Sequence, residues 1–271
     1  DANGPIPTYD QAVVDGFTKA LTGWSYAPQF GSGISNYIDP LRLTPGNHDT
    51  TEKLLLRGVT LPAGRSGEED LEAALDNVFQ DPNVGPFIGT QLIQMLVTSN
   101  PSPAYVARVT AAFGDNGAGI RGDMKAVIRA IFLDPEARAG AAAPPSFGRL
   151  REPSLWLVAS LRALGARSAD GTTNADGHLA NRVSPLGQNP LRPPSVFSYF
   201  PPDYQAPGTG GLFGPEFGVF SATTALGRAN LINTLVFNLS GCPVATRPCL
   251  RPNTDAGNPG SNTNGVSLDL A

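Results

Sequence analysis

Residues 66–96 read SGEEDLEAALDNVFQDPNVGPFIGTQLIQML, and this stretch decides the fold. Ser66 followed three residues later by Glu69 is the signature of a capping box, the reciprocal pairing that opens a helix. Leu71, Ala74, Leu75, Val78 and Phe79 then recur at helical spacing, as one apolar face would. Asp81-Pro82 stops this helix, because the residue before a proline is pushed out of the helical region. A strongly apolar helix over 84–97 follows, carrying Phe87, Ile88, Leu92, Ile93, Met95 and Leu96. Pro101 and Pro103 start a third helix that runs to Phe113. Asp123 caps a fourth over 124–133, whose Val127, Ile128, Ile131, Phe132 and Leu133 are expected to face inward. Four helices joined by short turns predict a compact all-α unit.

Working outward, 9–22 predicts a helix with Val13, Val14, Phe17, Ala20 and Leu21 on its buried face, capped by Thr8 or Asp10 and stopped by Gly23. A polar loop of unusual length, 25–53, comes next, and loops of that length in compact domains are commonly functional. The apolar run 53–59 reads as a strand or a helical turn. On the other side, 139–146 is rich in Ala, Gly and Pro, and Pro153 opens a helix over 154–164 that Gly165 ends. Residues 166–220 are mostly irregular, with prolines interleaved by Phe197, Tyr199, Phe200, Tyr204, Phe213, Phe217 and Phe220. A last helix is expected from Ser221 to about Leu239, then a mobile tail over 251–265. The fold class is mainly α, a helical domain with long Pro/Gly-rich irregular connections. It divides into a helical region, 1–140, and a second region, 141–271, within one composite domain.

Only 15% of residues are charged, against roughly 25% in typical soluble domains. Gly 31 and Pro 26 imply extensive irregular backbone. The net charge is −4 and no stripe of Lys and Arg forms, which argues against a nucleic-acid partner. No run of apolar residues is long enough to span a membrane. Cys242 and Cys249, in GCPVATRPC, are spaced so that a disulfide could close a short loop, the alternative being two free thiols. A disulfide belongs to an oxidising compartment, so a periplasmic or extracellular protein is expected. Neither end resembles a natural terminus, and the chain is read as part of a longer polypeptide.

The densest polar cluster is 47–53, NHDTTEK. His48, Asp49 and Lys53 could act as acid–base groups or metal ligands. The alternative is a loop anchor, in which Asp49 accepts backbone N–H groups and Lys53 pairs with an acid. His178, the other histidine, lies in a distant segment, and two cysteines do not make a structural zinc site. No nucleophile elbow, phosphate loop or dinucleotide fingerprint occurs, and no metal or cofactor is assigned. Glu68, Glu69, Asp70 and Glu72 fall in the first turns of a helix, where negative charge offsets the macrodipole. Trp24 and Trp156 read most simply as core or interface residues. The aromatic segment 193–220 either lines a sugar-binding groove or plugs the surface of the helices.

Three strings are more specific: DQAVVDGFTKALTGW over 10–24, GNHDTTEKLLLRG over 46–58, and SPLGQNPLRPPSVFSYFPPDYQAPG over 184–208 followed by GPEF at 214–217. Together they resemble the bacterial family known as domain of unknown function 1800. The resemblance implies an exported, mainly helical protein, often encoded beside a sulfatase-like partner, with no established activity. Its motifs fall here on Thr22, Gly23 and Trp24; on His48, Asp49 and Lys53; on Gly187 and Gln188; on 194–197; on Pro202, Asp203 and Tyr204; and on Pro215, Glu216 and Phe217. An upstream acidic helix and further downstream chain, usual in the family, are not in this sequence.

Two function classes remain. One is a non-catalytic secreted or envelope protein that binds a partner protein or a polysaccharide through Trp24, Gln188, Phe197 and Tyr204. The other is part of a hydrolase-like enzyme using His48 and Asp49, with Lys53 or Gln188 orienting the substrate.

Overall fold

The structure is a computed structural model and describes residues 7–29, 35–168, 182–195, 198–237, 249–250 and 266–267. The chain is mainly α, with seven α-helices among those residues and strands only two residues long. Its contacts group it into two units, Asp1–Ile88 and Gly89–Ala271.

In the first unit, α1 (Gln11–Ala20) is capped by Asp10, whose Oδ1 accepts the Val13 N–H at 3.1 Å. Two short antiparallel pairs follow. In one, β1 (Trp24–Ser25) sets Trp24 opposite Leu43 of β2 (Arg42–Leu43). In the other, β3 (Lys53–Leu54) pairs with β4 (Thr60–Leu61) across a tight 3₁₀ turn, Leu56–Gly58. The 53–59 run is therefore strand and helical turn in succession. The backbone of α1 lies directly on β3: a Cβ on Gly16 would sit 1.8 Å from the Leu54 carbonyl oxygen, so only glycine allows the approach.

The capping box forms as expected at the head of α2 (Gly67–Phe79). Its buried face differs from the expectation. Gly67, Asp70, Ala74 and Asn77 turn inward, while Leu75, Val78 and Phe79 are exposed. What lies opposite α2 includes backbone with hydrogen bonds to satisfy. The Asn77 amide does so at Leu56, accepting its N–H at 3.1 Å and donating to its carbonyl at 3.2 Å. A small apolar cluster of Ala20, Leu55, Leu61 and Ala74, flanked by Phe17 and Ala73, completes this unit.

The division between units falls within α3 (Val84–Leu96). In the second unit α4 (Pro103–Gly114) packs on α5 (Met124–Leu133), burying Tyr105, Val109, Phe113, Val127 and Ile131. The Tyr105 hydroxyl donates to the Ile131 carbonyl at 2.7 Å, and burial pushes that phenol up to about 12. Phe132 and Leu133, expected inside, are exposed. A short helix packed mainly on one neighbour buries one stripe, here Val127 and Ile131, and turns the adjacent positions out. Helix α6 (Pro153–Ala163) contributes Leu157 and Leu161 to a second core. There they meet Val183, Leu186 and, from α7 (Ala222–Phe237), Leu231 and Ile232. Three two-residue strands, β5 (Arg167–Ser168), β6 (Cys249–Leu250) and β7 (Val266–Ser267), form an antiparallel set in the order β5-β7-β6.

His178, Phe197 and Cys242 lie outside the described residues, as does the 251–265 tail, so the expected disulfide and mobile tail do too. No helix among the described residues is long and apolar enough to cross a membrane.

Candidate functional site

Three carboxylates are buried among the described residues, Asp70 in the first unit and Asp134 and Glu216 in the second, and they are satisfied to different degrees. In the first unit the carboxylate is Asp70, fully buried in the opening turn of α2. Its Oδ2 takes the Lys53 ammonium at 2.7 Å and the His48 Nε2 at 3.1 Å, and its Oδ1 takes the Arg65 Nε at 2.7 Å. Burial alone would raise this acid, but the hydrogen bonds from Lys53, Arg65 and His48 together hold it below the ordinary carboxylate value. The Lys53 ammonium also donates to the Thr51 carbonyl at 2.8 Å.

The HD segment is tied to α1 through Thr22. Its hydroxyl donates to the Lys19 carbonyl at 2.7 Å and accepts the Asp49 N–H at 2.8 Å. His48 Nδ1 lies 3.1 Å from the Thr22 carbonyl. Both ring nitrogens are thus engaged inside the protein, Nε2 by Asp70 and Nδ1 by the Thr22 carbonyl and hydroxyl, and the ring is buried. Asp49 accepts the Thr51 N–H at 2.8 Å and the Thr51 hydroxyl at 2.6 Å, the bonds that hold it below the usual carboxylate range. One carboxylate ringed by Lys53, Arg65 and His48 repels a metal ion rather than attracting one. The arrangement is that of an anchor fastening α1, the 46–53 loop and β3 to the head of α2.

In the second unit Asp134 takes both arms of the Arg108 guanidinium, at 2.6 and 2.9 Å, whereas Glu216, only 3% exposed in the 3₁₀ turn Pro215–Val219, has no such pairing. It lines a cavity of about 120 Å³ together with Gln91, Gln94 and Met95 of α3, Glu152 at the head of α6, and Ser198, Phe200 and Pro202 of the irregular segment. The Asn100 side chain fixes the strand of chain before Glu216 by pairing with both backbone groups of Phe213, at 2.9 and 2.8 Å. The Gly214 N–H adds a bond to the Tyr204 carbonyl at 2.8 Å. Ser198 holds a left-handed backbone, φ 71°, uncommon for a residue with a Cβ and of the kind that clusters at functional sites.

Glu216 has little to stabilise a charge. Its Oε1 stands 3.4 Å from Arg149 Nη1, and its Oε2 is buried with no hydrogen-bond partner. The same Arg149 nitrogen is engaged by the Met95 carbonyl at the C-terminal end of α3, where a cation is favoured by the helix dipole. Burial therefore prevails over a hydrogen bond from its own backbone N–H and over the Arg149 contact, the charge of Glu152 adds to it, and the Glu216 carboxyl is pushed above its ordinary value. Gln94 shares the condition: its amide nitrogen donates to the Ser99 carbonyl at 3.1 Å, while its oxygen is buried and unpaired.

Glu152 occupies the N-cap position of α6 yet its side chain makes no capping bond. That duty falls to Gln188, whose Oε1 accepts the Ser154 N–H at 2.8 Å. Gly187, left-handed at φ 89° with Val219 close behind it, turns the chain so that Gln188 can reach. Nearby, the Arg228 guanidinium is buried between Trp156 and Phe220, 5.4 and 4.9 Å from their ring centroids, and donates to the Arg151 carbonyl at 2.9 Å.

His48, Asp49 and Lys53 thus sit together in the first unit, with Trp24 nearby in β1 and its indole N–H buried without an acceptor. Gln188 is a helix cap in the second unit, where Tyr204 lends its carbonyl to the turn before Glu216. Residue type and spacing do not single out Asp70, Glu216 or Gln94: in the sequence Asp70 is one of several acids in the first turn of a helix, and Glu216 stands out only within the GPEF string. No curated protein and no solved structure matches the chain. A family model described as "Protein of unknown function (DUF1800)" matches residues 1–240, and the chain belongs to that family.

Proposed function

We propose that this protein binds a polysaccharide outside the cytoplasm, and that its site is the Glu216 cleft of the second unit. One observation carries the reading: Gln94 and Glu216 line the same cavity, and each holds a buried oxygen without a protein partner. Buried acceptors are costly when unpaired, so the cleft suits a ligand that brings hydroxyl donors. A carboxyl shifted toward its neutral form both donates and accepts, as sugar hydroxyls require. Phe200 supplies an apolar surface for the C–H face of a pyranose ring. The low content of charged residues and the Cys242–Cys249 spacing support export. Calorimetric titration with cellohexaose, xylohexaose and N-acetylchitohexaose is the test. Saturable binding of one of them, weakened about tenfold or more by Glu216→Ala and by Gln94→Leu, is expected from the loss of a buried hydrogen bond. Binding of none, or binding indifferent to both substitutions, overturns the proposal.

A further inference from the structure

Two carboxylates share the cleft, and their surroundings differ in the way that acid–base catalysis needs. Resting on the saccharide reading above, we propose that Glu216 and Glu152 are the catalytic residues of a glycoside hydrolase, Glu216 as general acid and Glu152 as general base. Glu216 is buried, with one oxygen unpaired, and is met only by its own backbone N–H and a loose contact to Arg149 at 3.4 Å. Glu152 is half-buried at the N-terminus of an eleven-residue helix, a favourable place for negative charge. It is also released from the one structural task its position normally carries, because Gln188 caps α6 in its stead. Two carboxyl groups lining one cleft, one giving a proton and the other taking one, are how glycosidic bonds are hydrolysed on many folds.

The reaction balances without any other group. The Glu216 carboxyl gives its proton to the glycosidic oxygen as the bond from that oxygen to the anomeric carbon breaks, and the alcohol leaves. A water molecule forms the new bond to the anomeric carbon and gives its proton to the Glu152 carboxylate. The products are a reducing sugar and an alcohol. Proton exchange with solvent returns Glu216 to the acid and Glu152 to the carboxylate.

The experiment uses the full chain and the hexasaccharide that binds it best by calorimetry, following release of reducing ends by the wild type, Glu216→Gln and Glu152→Gln. Wild-type turnover is expected to fall at least a hundredfold in each variant, while calorimetric affinity for the same hexasaccharide changes by less than about fivefold, since glutamine keeps the shape of both side chains. Turnover retained in either variant overturns the assignment. Binding without release of reducing ends in the wild type overturns the hydrolase and leaves the binding reading standing. Absence of binding removes both.

Discussion

Asp70 and Glu216 are equally hidden from solvent, at 0% and 3% exposure, and both sit in the first turn of a helical segment. They titrate in opposite directions because of what faces them. Asp70 meets three nitrogen donors at 2.7, 2.7 and 3.1 Å. Glu216 meets its own backbone N–H and, at 3.4 Å, one arginine that is also engaged by a helix end. Burial sets the stakes, and the number of committed donors decides the sign. A fully satisfied buried carboxylate is a fastening, whereas a partly satisfied one is held at a cost to stability that an enzyme or binding protein recovers through function. The Asp70 carboxylate of the first unit is thus fully satisfied, and the Glu216 carboxylate of the second is not.

Breaking the satisfied carboxylate gives the largest effect. Asp70→Ala strands the buried Lys53 ammonium and should destabilise the first unit by about 3–5 kcal/mol. Chemical denaturation followed by circular dichroism measures it, and a loss below about 1 kcal/mol would mean the cluster is effectively solvated. The pH dependence carries a definite sign. Asp70 is depressed in the fold, so its contribution is complete above the ordinary value of 3.8 and is lost as pH falls through the lower folded value. Acid destabilisation from this group therefore begins below about pH 4 and is missing in Asp70→Asn.

For Glu216 the sign reverses. Its folded value is raised above the ordinary 4.5, so the native state holds its proton longer than the unfolded chain does. Its burden on stability is absent in acid and grows as pH rises from 4.5 through the raised folded value. Glu216→Gln should therefore be more stable than the wild type at pH 8, with the gain fading toward pH 4. Melting curves of both proteins across that range are the measurement. A difference that stays constant with pH would show that Glu216 is ionised in a solvated setting and would remove the contrast with Asp70.

Much of the scaffold was legible and much of the site was not, for one physical reason. Caps and helix periods are local: Ser66 with Glu69, Asp10 and Asp123 each act within a few residues, and the structure has all three. Partners of buried charges are distant in sequence. Lys53 and Asp70 lie 17 positions apart, and Arg149 and Glu216 lie 67 apart. Periodicity also misjudged α2, because Leu75, Val78 and Phe79 mark an apolar stripe whatever it faces, while Asp70 and Asn77 were drawn inward by cations and loop backbone. The glycine at 16 and the pair Gly187-Gln188 were visible as letters. Their meaning, a backbone contact and a borrowed helix cap, needed the third dimension.

The smallest expected effect concerns that borrowed cap. In the first unit Ser66 caps its own helix, α2, whereas in the second α6 depends on Gln188 while Glu152 stands idle at the N-cap. Gln188→Leu should cost at most about 1 kcal/mol, the usual loss for a missing cap. Gln188→Glu, which keeps an acceptor beside the Ser154 N–H and adds charge favoured at a helix N-terminus, should cost less. A thermal melt of each variant decides between two physical situations. If the leucine variant is destabilised and the glutamate variant is not, the cap is supplied from outside and Glu152 is left to the cleft. If neither loses stability, Glu152 is able to turn back and cap Ser154 itself. A carboxylate that swings so readily to the backbone is not held in place for a substrate, and Glu152 would then be a spare cap rather than the base opposite Glu216.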